Sequence, residues 1–133
     1  MLLNEAYIIV ENKEENISFK KITGNNIKFH GCSNWNKGFV MDKPCTKVEL
    51  FLNKKLIGQA GIDEDNYIFG VSIKPEFQSK GFGSKIMNQM EKYSKKNTLY
   101  LRPANKELIN FYKKLGYKKD HTDKYGLIMS KTI

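Results

Sequence analysis

Two hydrophobic periods meet near residue 73. Before it, apolar positions form short runs or alternate with polar ones, the period of a strand. Residues 6–10 are an apolar run, and residues 17–22 alternate around Ser18 and Lys20. Gly24-Asn25-Asn26 reads as a tight turn before residues 27–30. Residues 34–44, rich in Gly, Asn, Lys and Pro, read as loop. Residues 47–52, 56–62 and 67–73, separated by polar turns at 53–55 and 63–66, then predict an antiparallel meander.

After residue 73 the period becomes helical. Ile86, Met87, Met90 and Tyr93 share one face, with Lys85, Lys92, Lys95 and Lys96 outside it. Residues 98–101 predict a short strand that Pro103 ends. Leu108, Ile109, Phe111, Tyr112 and Leu115 mark a second amphipathic helix, closed by Gly116 as C′ residue, with Lys113 and Lys114 complementing the dipole of its last turn. A strand over residues 126–130 follows. This order predicts an α/β (α+β) domain on one mixed sheet, and a length of 133 residues suits a single domain over 1–133.

Composition narrows the classes. No apolar run is long enough to span a bilayer, and residues 1–6 lack the basic and apolar regions of an export signal, so a soluble, cytoplasmic protein is expected. Cys32 and Cys45 allow one bridge at most and read as ordinary thiols; His30 and His121 have no partners at metal-ligand spacing, and no metal is expected. The net charge is +9, and residues 74–120 carry 12 basic and 4 acidic side chains, so an anionic partner is expected there. Arg102 is the one arginine, which disfavours sequence-specific nucleic-acid readout.

The junction from Ile73 to Ser84 carries the chemistry. A strand ends, Pro75 stops its ladder, and Gly81 and Gly83 open a helix. Glycines there let backbone N–H groups turn outward, and the helix dipole adds positive charge, which makes an anion cradle. Spacing alone leaves a plain strand-to-helix turn equally open. The wider pattern is more specific: Val71-x-Ile73-x-Pro75, then Gln78-x-x-Gly81-x-Gly83, resembles the acetyl-CoA loop of the GCN5-related N-acetyltransferase (GNAT) superfamily. Asn105-x-x-Leu108-x-x-Phe111-Tyr112-x-x-x-Gly116-Tyr117 is similar to that family's last helix motif, and Leu56-Ile57-Gly58-Gln59-Ala60-Gly61 to its third strand. The resemblance covers residues 46–119.

It implies a mostly antiparallel sheet with a V-shaped splay between two parallel strands, here Tyr67–Ile73 and Thr98–Leu101, where acetyl-CoA binds as acyl donor. Val71 and the main chain of Ile73 would face the pantetheine, with an Ile73 N–H for the thioester carbonyl. Gln78, Ser79, Lys80, Gly81, Phe82, Gly83 and Ser84 would cradle the pyrophosphate, and valine at either glycine should abolish binding. Asn105 would bond the pantetheine arm, although at a helix start it also reads as an N-cap. Tyr112 matches the acid that protonates the departing thiolate, although among apolar neighbours it also reads as core. The reaction implied is acetyl transfer to a primary amine on a small molecule or protein. The alternatives are a catalytically weak acetyl-CoA-binding module and a basic, nucleic-acid-associated module.

Several features stay open. At the position where some members of the family place a glutamate base, this chain has Tyr67, with Glu64 and Asp65 nearby, and water is a fourth candidate. Trp35 either lines an acceptor pocket or anchors a loop. The family begins with a strand and one or two helices that wall off the acceptor; residues 1–45 read instead as β-rich, either remodelled or hiding a short helix in 33–40. Missing helices would leave an acceptor side open to a macromolecule or a homodimer partner.

Overall fold

The computed structural model describes residues 5–11, 16–31, 35 and 37–133, the first seven through their backbone. The chain runs β1 (Glu5–Glu11), β2 (Asn16–Gly24), β3 (Ile27–Phe29), β4 (Phe39–Met41), β5 (Cys45–Leu52), β6 (Lys55–Asp63) and β7 (Tyr67–Ile73). A 3₁₀ turn (Pro75–Phe77), α1 (Phe82–Glu91), β8 (Thr98–Leu101), α2 (Lys106–Lys114), β9 (Lys118–Asp123) and β10 (Gly126–Thr132) follow. Eight strands form one sheet in the order β1-β2-β5-β6-β7-β8-β10-β9, and β3 and β4 form a separate hairpin. Every neighbouring pair in the large sheet is antiparallel except β7 and β8, which are parallel.

Alternation divides the strand side chains between two faces. On one, Ile17 and Phe19 of β2, Val48 and Leu50 of β5, Ala60 of β6, Ile68 of β7, Leu99 and Leu101 of β8, and Met129 of β10 form a continuous core with Phe82, Ile86, Met87 and Met90 of α1. Tyr112 of α2 and Tyr117 join it. Tyr117 is 1 % exposed and donates to Glu91 Oε2 at 3.0 Å, while Lys131 Nζ holds Glu91 Oε1 at 3.0 Å. Burial and the Glu91 carboxylate push the Tyr117 phenol well above its usual value, so it is a neutral donor tying α2's end to α1 and β10.

The β3–β4 hairpin lies over the opposite face. Phe29 packs with Ile27, Cys45, Ile22, Met41 and Phe69, stacking on Phe39 at 5.1 Å. Gly61 makes room for it: a Cβ there would stand 2.6 to 2.8 Å from the Phe69 and Phe29 rings. The hairpin is fastened by Gln59, whose buried amide accepts from the His30 N–H at 2.8 Å and donates to the His30 and Gly70 carbonyls at 2.8 and 3.1 Å. Beneath it, Lys47 and Glu49 form an ion pair at 3.1 Å, with Lys47 also donating to the Lys28 carbonyl at 2.7 Å.

The meander, both helices and the short eighth strand match the expected order. Four features differ. Phe39–Met41 is a strand inside the stretch that reads as loop. The polar strand β9 has no apolar periodicity to betray it; all six of its residues are exposed. α1 ends before Tyr93, whose ring still packs against the core. Asn66, read as a turn residue, is fully buried.

Asn66 positions β8. Its Nδ2 donates to Ser94 Oγ at 2.6 Å and to the Lys96 and Thr98 carbonyls at 2.9 and 3.0 Å, and its Oδ1 accepts from the Lys95 N–H at 2.9 Å. Its φ of 64° is left-handed, which asparagine tolerates better than most residues. Asn66→Ala removes the side-chain partner of three part-buried backbone groups and strains the backbone, so it should cost about 3 kcal/mol in urea unfolding. A loss below about 1 kcal/mol would show that the turn holds without it.

Candidate functional site

The parallel pair is brief. Tyr67 lies opposite Tyr100 and Ile68 opposite Leu101, with the Tyr100 N–H bonded to the Asn66 carbonyl at 3.0 Å. β7 then continues to Ile73 while β8 ends, and the chain leaves through Arg102 and Pro103 to α2. A V-shaped opening results, with residues 69–73 along one side.

The backbone direction within that opening follows from the pairing with β6. The Lys74 N–H bonds the Ile57 carbonyl at 2.8 Å, and Gly58 lies opposite Ile73, so Gly58 and Ile73 are a non-hydrogen-bonded pair. The N–H and C=O of Ile73 therefore point away from β6, into the V. Gln78 Nε2 donates to the Ile73 carbonyl at 3.0 Å, closing the turn after the strand. Val71 is half-buried beside it.

Gln78, Ser79, Lys80 and Gly81 are exposed and lead into α1. Ser79 has φ 61° and Gly81 φ 88°, and Gly81 caps the helix with no side-chain hydrogen bond. The first-turn N–H groups of Phe82, Gly83 and Ser84 have no carbonyl one turn back, so they add to the positive end of the dipole. Phe82 contributes by backbone alone: its ring is buried edge-on to Phe77. A Cβ on Gly81 meets nothing within 4 Å, so a side chain there is opposed by φ rather than by protein atoms. Gly83 is crowded: a Cβ would stand 3.1 Å from the Phe111 ring, which puts α2 against the mouth of α1.

On α2, Asn105 is exposed and is the N-cap, its Oδ1 accepting from the Leu108 N–H at 3.1 Å. The cap leaves its Nδ2 donors for another partner. Tyr112, seven residues on, lies about 10.5 Å along the helix on the same side. It is 5 % exposed, edge-on to Phe111 at 5.1 Å and to Tyr117 at 5.9 Å, so its ring is part of the core as well.

On the hairpin face, a groove of about 390 Å³ is lined by Asp65, Tyr67, Tyr100, Arg102, His121, Asp123 and Ile128. Arg102 Nη2 donates to Asp123 Oδ2 at 2.6 Å. That bond and the Tyr125 N–H hold the Asp123 carboxyl down at about 2. Asp123 and the Tyr67 phenol in turn favour the charge on Arg102, yet Arg102 Nη1 is buried and meets no acceptor at hydrogen-bonding geometry among the described residues. Of the candidate bases, Tyr67 and Asp65 line this groove and Glu64 does not. The sequence gives no signal for the groove's other half, because β9 is recognisable only by its pairing with β10.

Trp35 does anchor a loop. Its Nε1 donates to Ser72 Oγ at 2.8 Å, and its ring stacks on His30 at 4.4 Å. Burial and the Lys47 charge lower the His30 pKa, and burial raises that of the Cys45 thiol. Cys32 lies outside the described residues. Among the described residues no helix is long and apolar enough to cross a membrane.

Comparison with known proteins places these features in a group. The sequence pattern of the acetyltransferase (GNAT) family matches residues 7–117. An uncharacterized N-acetyltransferase, ycf52, from Pyropia yezoensis is 35% identical over 77 residues, 51% of this chain and 42% of that protein. Another, MJ1207 from Methanocaldococcus jannaschii, is 32% identical over 71 residues, 50% of this chain and 31% of that protein. The chain thus spans less than half the length of either relative within the matched region. Among solved structures, the PaiA N-acetyltransferase of Thermoplasma acidophilum in complex with coenzyme A superposes with a TM-score of 0.58 at 27% identity, over 67% of this chain and 61% of that one. An aminoglycoside 6'-N-acetyltransferase complexed with coenzyme A gives 0.57 at 17% identity, over 66% and 72%, a likeness of fold alone.

The two glycines should respond differently. Gly81→Ala should cost about 1–2 kcal/mol through φ alone, and Phe111→Leu should not relieve it. Gly83→Val should cost about 1–3 kcal/mol by overpacking, part of it recovered in the Gly83→Val/Phe111→Leu double variant. Additive effects in urea unfolding would contradict the contact between α1 and α2.

Proposed function

The chain belongs to the acetyltransferase (GNAT) family, and we propose that it transfers an acetyl group from acetyl-CoA to a primary amine by direct attack. The observation that carries this reading is the Ile73 N–H, turned into the V beside a helix N-terminus that has no side-chain cap. A thioester lying along β7 would offer its carbonyl oxygen to that N–H, and the hydrogen bond strengthens as the oxygen gains charge in the transition state.

The rest of the cofactor follows the two helices. The N–H groups between Gln78 and Ser84 receive the pyrophosphate, and the exposed Lys80 adds a charge. Asn105 donates through Nδ2 to the pantetheine arm while its Oδ1 keeps the helix cap. Tyr112 gives its proton to the departing thiolate. A phenol has a suitable intrinsic acidity for that partner. The amine approaches from the hairpin face, through the groove between Tyr67 and His121.

Tyr112→Phe keeps the ring packing and removes the proton. With acetyl-CoA and a panel of spermidine, glucosamine, lysine amide and a peptide with a free N-terminus, it should lower kcat by about a hundredfold and leave the acetyl-CoA Kd within about twofold. An unchanged kcat with reduced stability would assign Tyr112 to packing alone. Wild-type protein that binds acetyl-CoA but acetylates none of these amines would favour a binding module.

A further inference from the structure

Acetyl transfer to an ammonium also needs a base, and an irregularity in β9 brings a carboxylate and an imidazole together. Ile128 pairs with His121, but the next residue, Met129, pairs with Lys119. Asp120 is therefore the extra residue of a β-bulge. In a regular strand Asp120 and His121 would point to opposite faces. Here they meet: Asp120 Oδ2 lies 2.5 Å from His121 Nδ1, and Ser130 Oγ of β10 donates to Asp120 Oδ1 at 2.9 Å. Those hydrogen bonds lower the Asp120 pKa. As a carboxylate Asp120 only accepts, so in the neutral imidazole Nδ1 carries the hydrogen and Nε2 the lone pair.

His121 lines the same groove as Tyr67 and Tyr100, the residues that close the V. It stands level with Arg102, since it pairs with Ile128, and Met129, one residue on, pairs with Leu101. The charged groups that share the groove are Asp65 of the β6–β7 turn, Arg102 at the end of β8 and Asp123 of β9. Arg102 and Asp123 neutralise one another at 2.6 Å, leaving the imidazole as the groove's nitrogen base.

We propose that His121, oriented by Asp120 across the bulge, is the general base for the acceptor amine. The inference rests on the acetyltransferase reading. Nε2 takes one proton from the acceptor's ammonium, directly or through solvent in the groove, and later releases it to bulk. The freed lone pair attacks the thioester carbon; a C–N bond forms and the C–S bond breaks. The second nitrogen proton offsets the one that Tyr112 delivers to the thiolate, so the products are an acetamide, free CoA thiol and one released proton. Asp120 is a positioning residue.

The test compares pH profiles of kcat/KM for the fastest amine of the panel in wild type, His121→Gln, His121→Ala and Asp120→Asn, with acetyl-CoA titrations alongside. His121→Gln should lose the acidic limb and about a hundredfold in kcat/KM at neutral pH, with acetyl-CoA affinity unchanged. Added imidazole should restore His121→Ala in part. Asp120→Asn should cost about tenfold, displace the limb and resist imidazole. Long-range ¹H–¹⁵N spectra of the wild-type imidazole should show the Nδ1–H tautomer. An acidic limb that survives in His121→Gln with kcat/KM within twofold of wild type, or an Nε2–H tautomer, overturns the assignment while leaving the transferase reading intact. Wild-type protein without turnover overturns both.

Discussion

Two parallel strands that pair over only two residues need something outside their ladder to hold them in register. Here the Asn66 amide supplies it, with four hydrogen bonds that seat the 94–98 segment against the start of β7. Below that point the strands are joined; above it they part. The opening, the exposed inner edge of β7 and the approach of α2 to α1 all depend on where this joint lies. A buried amide with every polar atom engaged suits the task, because an alternative register would leave those atoms unpaired.

The joint also separates two chemical surroundings. On the helix side lie the N-terminus of α1, with glycine in place of a capping side chain, and Phe111 pressed on Gly83. On the other side lie the β3–β4 hairpin and a groove of phenols, carboxylates, one guanidinium and one imidazole. The hairpin is fixed to β6 and β7 by Gln59 and Trp35 rather than by a broad helix interface. In the proposed reaction the donor arrives from the first side and the amine from the second.

What the sequence makes legible is what local backbone chemistry requires. Gly81, Gln78 and Pro75 serve their own turn and Asn105 its own helix cap, so the local pattern exposes them, whereas the reason for Gly83 lies in the Phe111 ring of α2. The meander is legible because its strands alternate around a core. Asn66, Asp120 and His121 are not legible in this way. Each acquires its partner through pairing between segments distant in the chain, or through a bulge that only the register of β9 on β10 reveals. β4 hides among glycines and lysines because it is three residues long, and β9 because an edge strand made of polar residues has no apolar face to display. Tyr112 is readable both as core and as acid, and the packing of its ring by Phe111 and Tyr117 bears on the first.

Every proposed role depends on acetyl-CoA lying in the V between β7 and β8, which isothermal titration of acetyl-CoA into the protein at low and moderate salt would reveal. One site per chain is expected, with a Kd on the order of micromolar that persists as salt rises, because backbone N–H groups and a shaped groove would supply most of the contacts. Binding that is absent, or that disappears once exposed lysines are screened, would contradict it.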